Sequence, residues 1–278
     1  MSSAVSSGRG GVAVVTGSAR GIGLAIVREL RRVGYRAVVC DLDLEASRAA
    51  AASIGTDVPA FAVDVSDADS LDALVADVER EVGPIEVWVN NAGVMPTGRF
   101  LDSPRERTDI VIDVDFRGVV DATRSVLPGM IERGHGCLVN IASATGTKPM
   151  AGLAVYSGAK AAVIAFSTAL RRELRHTGVG VSVILPYLAA TPMGAGITAQ
   201  RGFSPVTAEQ VAARVLKAIT RGTLISYVPA SLKLGAAVFT ALPIRVQDWL
   251  DDILDSDSIG LGGDSAARAA YAAEVDRD

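Results

Sequence analysis

Lysine is scarce in this sequence: Lys148, Lys160, Lys217 and Lys233 are its four lysines in 278 residues, and arginine supplies the rest of the basic charge. The basic residues are scattered, and the formal net charge is −4. That excludes nucleic acid as a main partner, because a phosphate backbone demands clustered cations. Cysteine is nearly absent as well. Cys40 and Cys137 each sit in an apolar run, VVCDL and HGCLVNIA, that reads as a buried strand holding its thiol away from the other. A reduced, cytoplasmic protein is expected rather than a disulfide scaffold. No apolar run is long enough to cross a bilayer without interruption. The opening MSSAVSSGRGG lacks the apolar centre of a signal peptide, so residues 1–10 are expected to form a disordered polar leader. No metal site is expected.

What is present is apolar surface. With 49% hydrophobic and 21% charged residues, the chain has enough to bury against the entropy of ordering it. From Gly11 onward, short β-rich runs alternate with longer helix-period segments, the pattern of βαβ units around a parallel sheet. The strands are expected at Val12–Thr16, Arg36–Cys40, Ala60–Val63, Val87–Asn90, Gly136–Ser143, Val181–Leu185 and Leu224–Val228. Helices are expected at Ile22–Val33, Ser66–Val82, Pro104–Arg133 and Leu153–Thr177. The fold class is therefore α/β: a single-domain Rossmann fold, a doubly wound seven-stranded parallel sheet with helices on both faces. Residues 11–230 are expected to form that one domain, and 231–278 a helical extension packed on it. In that extension, Pro243 splits two short amphipathic helices, and an Ala-rich charged tail follows from Asp264.

The first strand runs into Thr16-Gly17-Ser18-Ala19-Arg20-Gly21-Ile22-Gly23 and then directly into a helix. A strand, turn and helix in that order aim free backbone N–H groups and the positive end of a helix dipole at one spot, where a pyrophosphate fits. Gly17, Ser18, Arg20, Gly21, Ile22 and Gly23 are the expected contacts. At the end of the second strand, the Asp41 carboxylate can accept from the adenosine ribose hydroxyls and repel a 2′-phosphate, which selects NAD over NADP. Arg20 pulls the other way, since a guanidinium can pair with that phosphate. The direct charge penalty from Asp41 decides for NAD.

Further segments complete a pattern. Asp64-Val65 follows the third strand, Asn90-Asn91-Ala92-Gly93 follows the fourth, and Tyr156-Ser157-Gly158-Ala159-Lys160 begins thirteen residues after Ser143. Together with the glycine loop, their order and spacing over residues 11–230 resemble the short-chain dehydrogenase/reductase family. The resemblance implies that Asp64 and Val65 flank the adenine and that Asn91, Ala92 and Gly93 line the ribose side of the cofactor. Asn90 would brace the central strands.

Moving a hydride between nicotinamide and a carbonyl carbon requires a proton to move with it. Tyrosine can give or take that proton, but its free pKa of about 10 calls for a nearby cation to stabilise phenolate. Lys160 stands four residues after Tyr156, on the same helical face. Ser143, at a strand's carboxyl end, would hydrogen-bond the substrate oxygen. Tyr156 and Lys160 would also touch the cofactor.

Two places depart from the family pattern. Asp115, in Ile112-Asp113-Val114-Asp115-Phe116-Arg117-Gly118, stands where many relatives carry an asparagine that helps to relay the proton. An ionised carboxylate accepts but cannot donate, so the pH profile is expected to differ. In Pro186-Tyr187-Leu188-Ala189-Ala190-Thr191, Tyr187 replaces the usual glycine, while Ala189 and Thr191 can still meet the nicotinamide carboxamide.

The segments Val94–Pro96, Met150–Val155 and Thr191–Phe203 are expected to line the substrate pocket. Met95, Met150, Leu153, Met193 and Phe203 make it apolar, which suits a steroid-, retinoid- or lipid-like secondary alcohol or ketone. Lys148, Arg99 and Arg201 leave open a carrier-linked 3-oxoacyl substrate. A nonenzymatic NAD-binding sensor is the rival from another class. Residues 231–254 could cover the cleft, meet a subunit or rest on a membrane, with Lys233 and Arg245 too few for strong lipid attraction. The resemblance implies an oligomer formed through the long helices, a homotetramer with a dimer as the fallback.

Overall fold

The computed structural model describes residues 10–199, 204–262 and 264–275. Valine-rich runs buried on both faces make parallel strands rather than half-exposed antiparallel ones. Seven strands, β1 (Val12–Thr16), β2 (Arg36–Asp41), β3 (Ala60–Ala62), β4 (Ile85–Asn90), β5 (Gly136–Ile141), β6 (Val179–Pro186) and β7 (Ile225–Val228), lie in one sheet. Their order is β3-β2-β1-β4-β5-β6-β7, with every neighbouring pair parallel.

Helices α1 (Gly21–Arg32), α2 (Leu44–Ala52), α3 (Ala68–Glu81), α4 (Arg105–Ile112), α5 (Gly118–Arg133), α6 (Ala154–Glu173) and α7 (Ala208–Arg221) connect the strands. One core layer packs α1 and α7 on the sheet through Ile26, Leu30, Val211, Val215 and Ile219. The opposite layer packs α3 and α5 through Leu71, Leu74, Val126 and Met130 around the wholly buried Trp88. Local signals set the ends. The Asp43 side chain accepts from the Glu45 N–H at 2.8 Å to start α2, and Thr207 with Gln210 closes a capping box on α7, each cap worth about 1 kcal/mol.

The chain winds from β1 outward to β3, then returns to lay β4 beside β1 and continues the other way. This reversal opens a crevice above the carboxyl ends of β1 and β4, where folds of this kind take ligands. Thr16 stitches it together: its Oγ1 accepts from the Asn91 and Ala92 N–H groups at 3.1 and 3.2 Å. The Asn91 amide donates to the Thr16 and Gly17 carbonyls, both at 2.9 Å. Asn90 braces the strands as expected, accepting from the Trp88 indole at 2.7 Å and donating to Asn140 at 2.8 Å.

Two expectations need revision. The fifth strand ends at Ile141, and Ser143 instead opens a single helical turn over Ala144–Gly146. The helical stretch expected across 104–133 is not one regular helix: a π-helical segment, Asp113–Arg117, separates α4 from α5. The tail after Asp264 forms a helix that reaches the cavity through Tyr271 and Val275. Beyond β7 come α8 (Leu232–Ala241), α9 (Ile244–Leu254), α10 (Ser258–Leu261) and α11 (Ser265–Val275), with Pro243 dividing α8 from α9 as expected. The leader expected at residues 1–10 lies outside the described residues except for Gly10.

Candidate active site

One continuous cavity of about 330 Å³ runs from the glycine loop to the tail helix α11. At one end, Gly17 holds φ +62°, and a Cβ there would sit 2.7 Å from the Ala92 Cα, so glycine is what lets the β1 and β4 loops touch. Helix α1 starts at Gly21 with no side-chain cap and no acid in its first turn, leaving its N–H groups available to an anion. Gly17, Arg20, Gly21 and Ile22 line the cavity there, with Asp41, Asp64, Val65, Asn91, Ala92 and Gly93 along its floor.

Two of the expected cofactor residues support the wall rather than line it. Ser18 is wholly buried; its hydroxyl donates to the Val15 carbonyl at 2.6 Å and accepts from the Cys40 N–H at 2.9 Å, tying β1 to β2. Gly23 is a packing glycine, since a Cβ would lie 2.4 Å from the Gly17 carbonyl oxygen. Asp41 has both oxygens engaged, with the N–H groups of Ala19 and Leu42 each at 2.9 Å. These bonds fix the carboxylate at the cavity edge.

Ser143, Tyr156, Lys160 and Asp115 come together in the middle of the cavity. The Ser143 hydroxyl accepts from the Thr145 hydroxyl at 2.9 Å and from its N–H at 3.2 Å, so its own proton is left to donate. The first turns of α6 carry Tyr156 and Lys160, both buried. Lys160 does not aim its charge at Tyr156 alone. Its Nζ lies 2.7 Å from Asp115 Oδ1 and 3.3 Å from the Ile141 carbonyl oxygen, and 5.6 Å from the Tyr156 ring centre.

The π-helical segment carries Asp115 inward, where it is fully buried and its Oδ2 accepts from the Val94 N–H at 3.2 Å. Such segments cluster at functional sites because the extra residue re-aims side chains. Gly93 makes the approach possible: a Cβ there would stand 2.6 Å from Asp115 Oδ1. Burial raises the Asp115 carboxyl above its ordinary range, with Lys160 pulling it back down. Burial also raises the Tyr156 phenol, and the charge of Asp115 raises it further, opposed by a hydrogen bond with Ser143. Both effects favour the protonated form of Tyr156.

The far end is apolar, lined by Met95, Met150, Leu153, Met193 and Ile197. Tyr187 lines the cavity and packs into the α1–α7 core layer, Ala189 and Thr191 border it, and Phe203 and Arg201 lie outside the described residues. Lys148 does not face an open surface. Its Nζ pairs with Asp251 of α9 and sits 4.6 Å from the Phe239 ring centre.

Sequence reasoning missed Ile259, Tyr271 and Val275, which close this end. The only trace available was Arg268 and Tyr271 standing three apart in the alanine run Ala-Ala-Arg-Ala-Ala-Tyr-Ala-Ala, large side chains on one face of a helix otherwise made of small ones.

A family model described as short chain dehydrogenase matches residues 11–202. The chain is 35% identical over 250 residues to 1-deoxy-11-beta-hydroxypentalenate dehydrogenase of Streptomyces exfoliatus, covering 87% of each chain. It is also 35% identical over 221 residues to ketoacyl reductase HetN of Nostoc sp., covering 77% of each. Among solved structures, a short chain dehydrogenase/reductase from Burkholderia phymatum in complex with NAD has the same fold, with a TM-score of 0.77 at 23% identity, covering 86% of this chain and 95% of that one.

Proposed function

The chain belongs to the short-chain dehydrogenase/reductase family, and on that premise we propose that it interconverts an apolar secondary alcohol and its ketone with NAD as hydride carrier. The observation that carries this reading is the meeting of Ser143, Tyr156 and Lys160 in the same cavity as the uncapped start of α1 and Asp41.

The residues present fit a dinucleotide. The backbone at Gly17, Arg20, Gly21 and Ile22 would hold the pyrophosphate, and Asp41 the adenosine ribose. Asp64 and Val65 would flank the adenine, Asn91, Ala92 and Gly93 the ribose side, and Ala189 and Thr191 the carboxamide, while Ser18 and Gly23 shape the loop from behind. Asp41 disfavours a 2′-phosphate by charge, so NAD is preferred over NADP. NAD bound there would accept hydride in alcohol oxidation and, when reduced, donate it in ketone reduction.

In reduction, Ser143 donates a hydrogen bond to the carbonyl oxygen, and Tyr156 gives its proton to that oxygen as the carbonyl carbon gains hydride. Lys160 would hold a ribose hydroxyl and stabilise the phenolate left behind, with Asp115 sharing its charge. In oxidation the same groups act in reverse, and Tyr156 takes the alcohol proton. With the phenol's pKa raised by burial and by Asp115, the proton that reduction consumes is already on Tyr156.

A second reading, reduction of a 3-oxoacyl group on a carrier, is favoured by the likeness to a ketoacyl reductase. Against it, Lys148 is already paired with Asp251. Assays with NAD and NADP in parallel, against lipophilic secondary alcohols, steroids and acyl carriers, separate these readings. Turnover confined to carriers defeats the apolar one, and NAD binding without any turnover favours a sensor.

No helix among the described residues is long and apolar enough to cross a membrane. The free, buried thiols of Cys40 and Cys137 support a reducing, cytoplasmic setting. The assembly we propose is a homotetramer built on α4–α5 and α6, which light scattering would distinguish from a dimer.

A further inference from the structure

The substrate end of the cavity is closed by a segment that lies more than a hundred residues beyond Ser143 and Tyr156, and the way it is fastened gives it a definite position. Arg268 is buried and donates to the Thr97 hydroxyl at 3.1 Å and to the carbonyls of Met193 at 2.8 Å, Ala195 at 3.4 Å and Met95. One guanidinium therefore joins the loop after β4 to the loop after β6. The Asp264 N–H donates to the Gly196 carbonyl at 2.8 Å. Gly152 and Gly260 touch through bare backbone: a Cβ on Gly152 would stand 2.4 Å from Gly260. Helices α10 and α11 are thus seated together on three loops that border the substrate end.

Tyr271 stands one helical turn beyond Arg268, and its ring lies 4.7 Å from that guanidinium. The side chain is buried yet lines the cavity. Its hydroxyl accepts from the Met95 N–H at 3.0 Å, which fixes the ring and leaves the phenolic proton to be given away. No described residue takes that proton. Burial pushes the phenol up to about 12, with the Met95 N–H and Arg268 pulling it down and the Asp115 charge adding to the rise, so it stays a donor, and it shares the reacting groups' cavity. The apolar side chains that line this end of the cavity, Met95, Met193, Ile197, Ile259 and Val275, carry no oxygen or nitrogen acceptor. A buried hydroxyl whose proton no described residue takes, lining an apolar pocket, selects for a ligand that carries an acceptor, because a ligand without one leaves the group unpaired.

We propose that Tyr271 is a specificity-determining residue that donates a hydrogen bond to a second oxygen of the substrate, so that the preferred substrate is an apolar alcohol or ketone bearing another oxygen acceptor. This rests on the oxidoreductase reading, but its test does not require turnover. Matched ligand pairs that differ by one oxygen, decalone with hydroxydecalone and androstanone with androstanedione, are titrated by calorimetry into NADH-loaded protein. The wild type should bind the dioxygenated member of at least one pair about tenfold more tightly, and Tyr271→Phe should bring that ratio close to unity. A wild type that gains nothing from the second oxygen in any pair, absence of binding included, overturns the proposal, as does a gain that survives in Tyr271→Phe. A fluorotyrosine at position 271 keeps the hydroxyl and serves if the phenylalanine variant does not fold. Its fluorine resonance should move further with the dioxygenated ligand, and equal movement with both members counts against the donor role. Binding with the expected ratio but no turnover would sink the oxidoreductase reading and leave Tyr271 as a recognition residue.

Discussion

The Lys160 ammonium and the Asp115 carboxylate meet at 2.7 Å with 5% and 0% of their side chains exposed. A cation that would stabilise phenolate at Tyr156 is thereby shared with an anion that disfavours it. Asp115→Asn keeps the shape and removes the negative charge, so the phenol's pKa should fall. Alcohol oxidation needs the phenolate, and its rising limb in a pH–rate profile is expected to move to lower pH by on the order of one unit. An unmoved limb would show that the carboxylate does not govern the base. Asp115→Ala also strands a buried ammonium, at a cost of about 3–5 kcal/mol measurable by denaturant unfolding.

Tyr156→Phe removes the group that carries the proton while keeping the ring in its apolar seat. Turnover is expected to fall by about 10²–10⁴-fold, with NADH affinity little changed by fluorescence titration. Ser143→Ala removes one donor to the developing charge and should cost about 10²–10³-fold in kcat. A Tyr156→Phe enzyme close to wild-type turnover would refute the assignment.

Much of this was legible before any coordinates because it depends on local pattern. The alternation of valine-rich runs with helix-period segments gave the sheet, and the spacing of Gly17–Gly23, Asn91–Gly93 and Tyr156–Lys160 gave three sides of the cavity. What stayed hidden depends on contacts between distant residues. The inward turn of Ser18 is set by hydrogen bonds to Val15 and Cys40, not by the glycine loop's composition. A π-helical segment at Asp113–Arg117 leaves no mark in hydrophobic period. The pairing of Lys148 with Asp251, 103 residues apart, removes a cation that looked available. Arg268 and Tyr271 belong to the site only because α11 folds back onto it.

Asp41→Ser tests the cofactor preference. The substitution removes the charge that opposes a 2′-phosphate, and Arg20 lines the same end of the cavity. The ratio of kcat/KM for NAD over NADP is expected to fall by at least about tenfold, since one unpaired or opposed charge is worth more than 1.4 kcal/mol in a site of this kind. Absolute affinity for NAD should fall too, because Ala19 and Leu42 lose their acceptor. A preserved ratio would move the source of selectivity away from Asp41.

Arg268→Lys separates a clamp from a mere charge. The guanidinium reaches four acceptors on two loops, a planar fork that a single ammonium cannot imitate. Leaving buried carbonyls unpaired costs about 1–3 kcal/mol each, and the fold can avoid most of that by letting α11 lift away, since local opening sets an upper limit on such penalties. Substrate KM is therefore expected to rise about tenfold or more in both Arg268→Lys and Arg268→Ala. Amide hydrogen exchange should quicken over residues 265–275, and NADH affinity should change far less, because the glycine loop and Asp41 lie at the other end of the cavity. Wild-type KM and exchange in the lysine variant would mean that α11 is held by Gly152–Gly260 and Asp264 without the fork, and the clamp would lose its role.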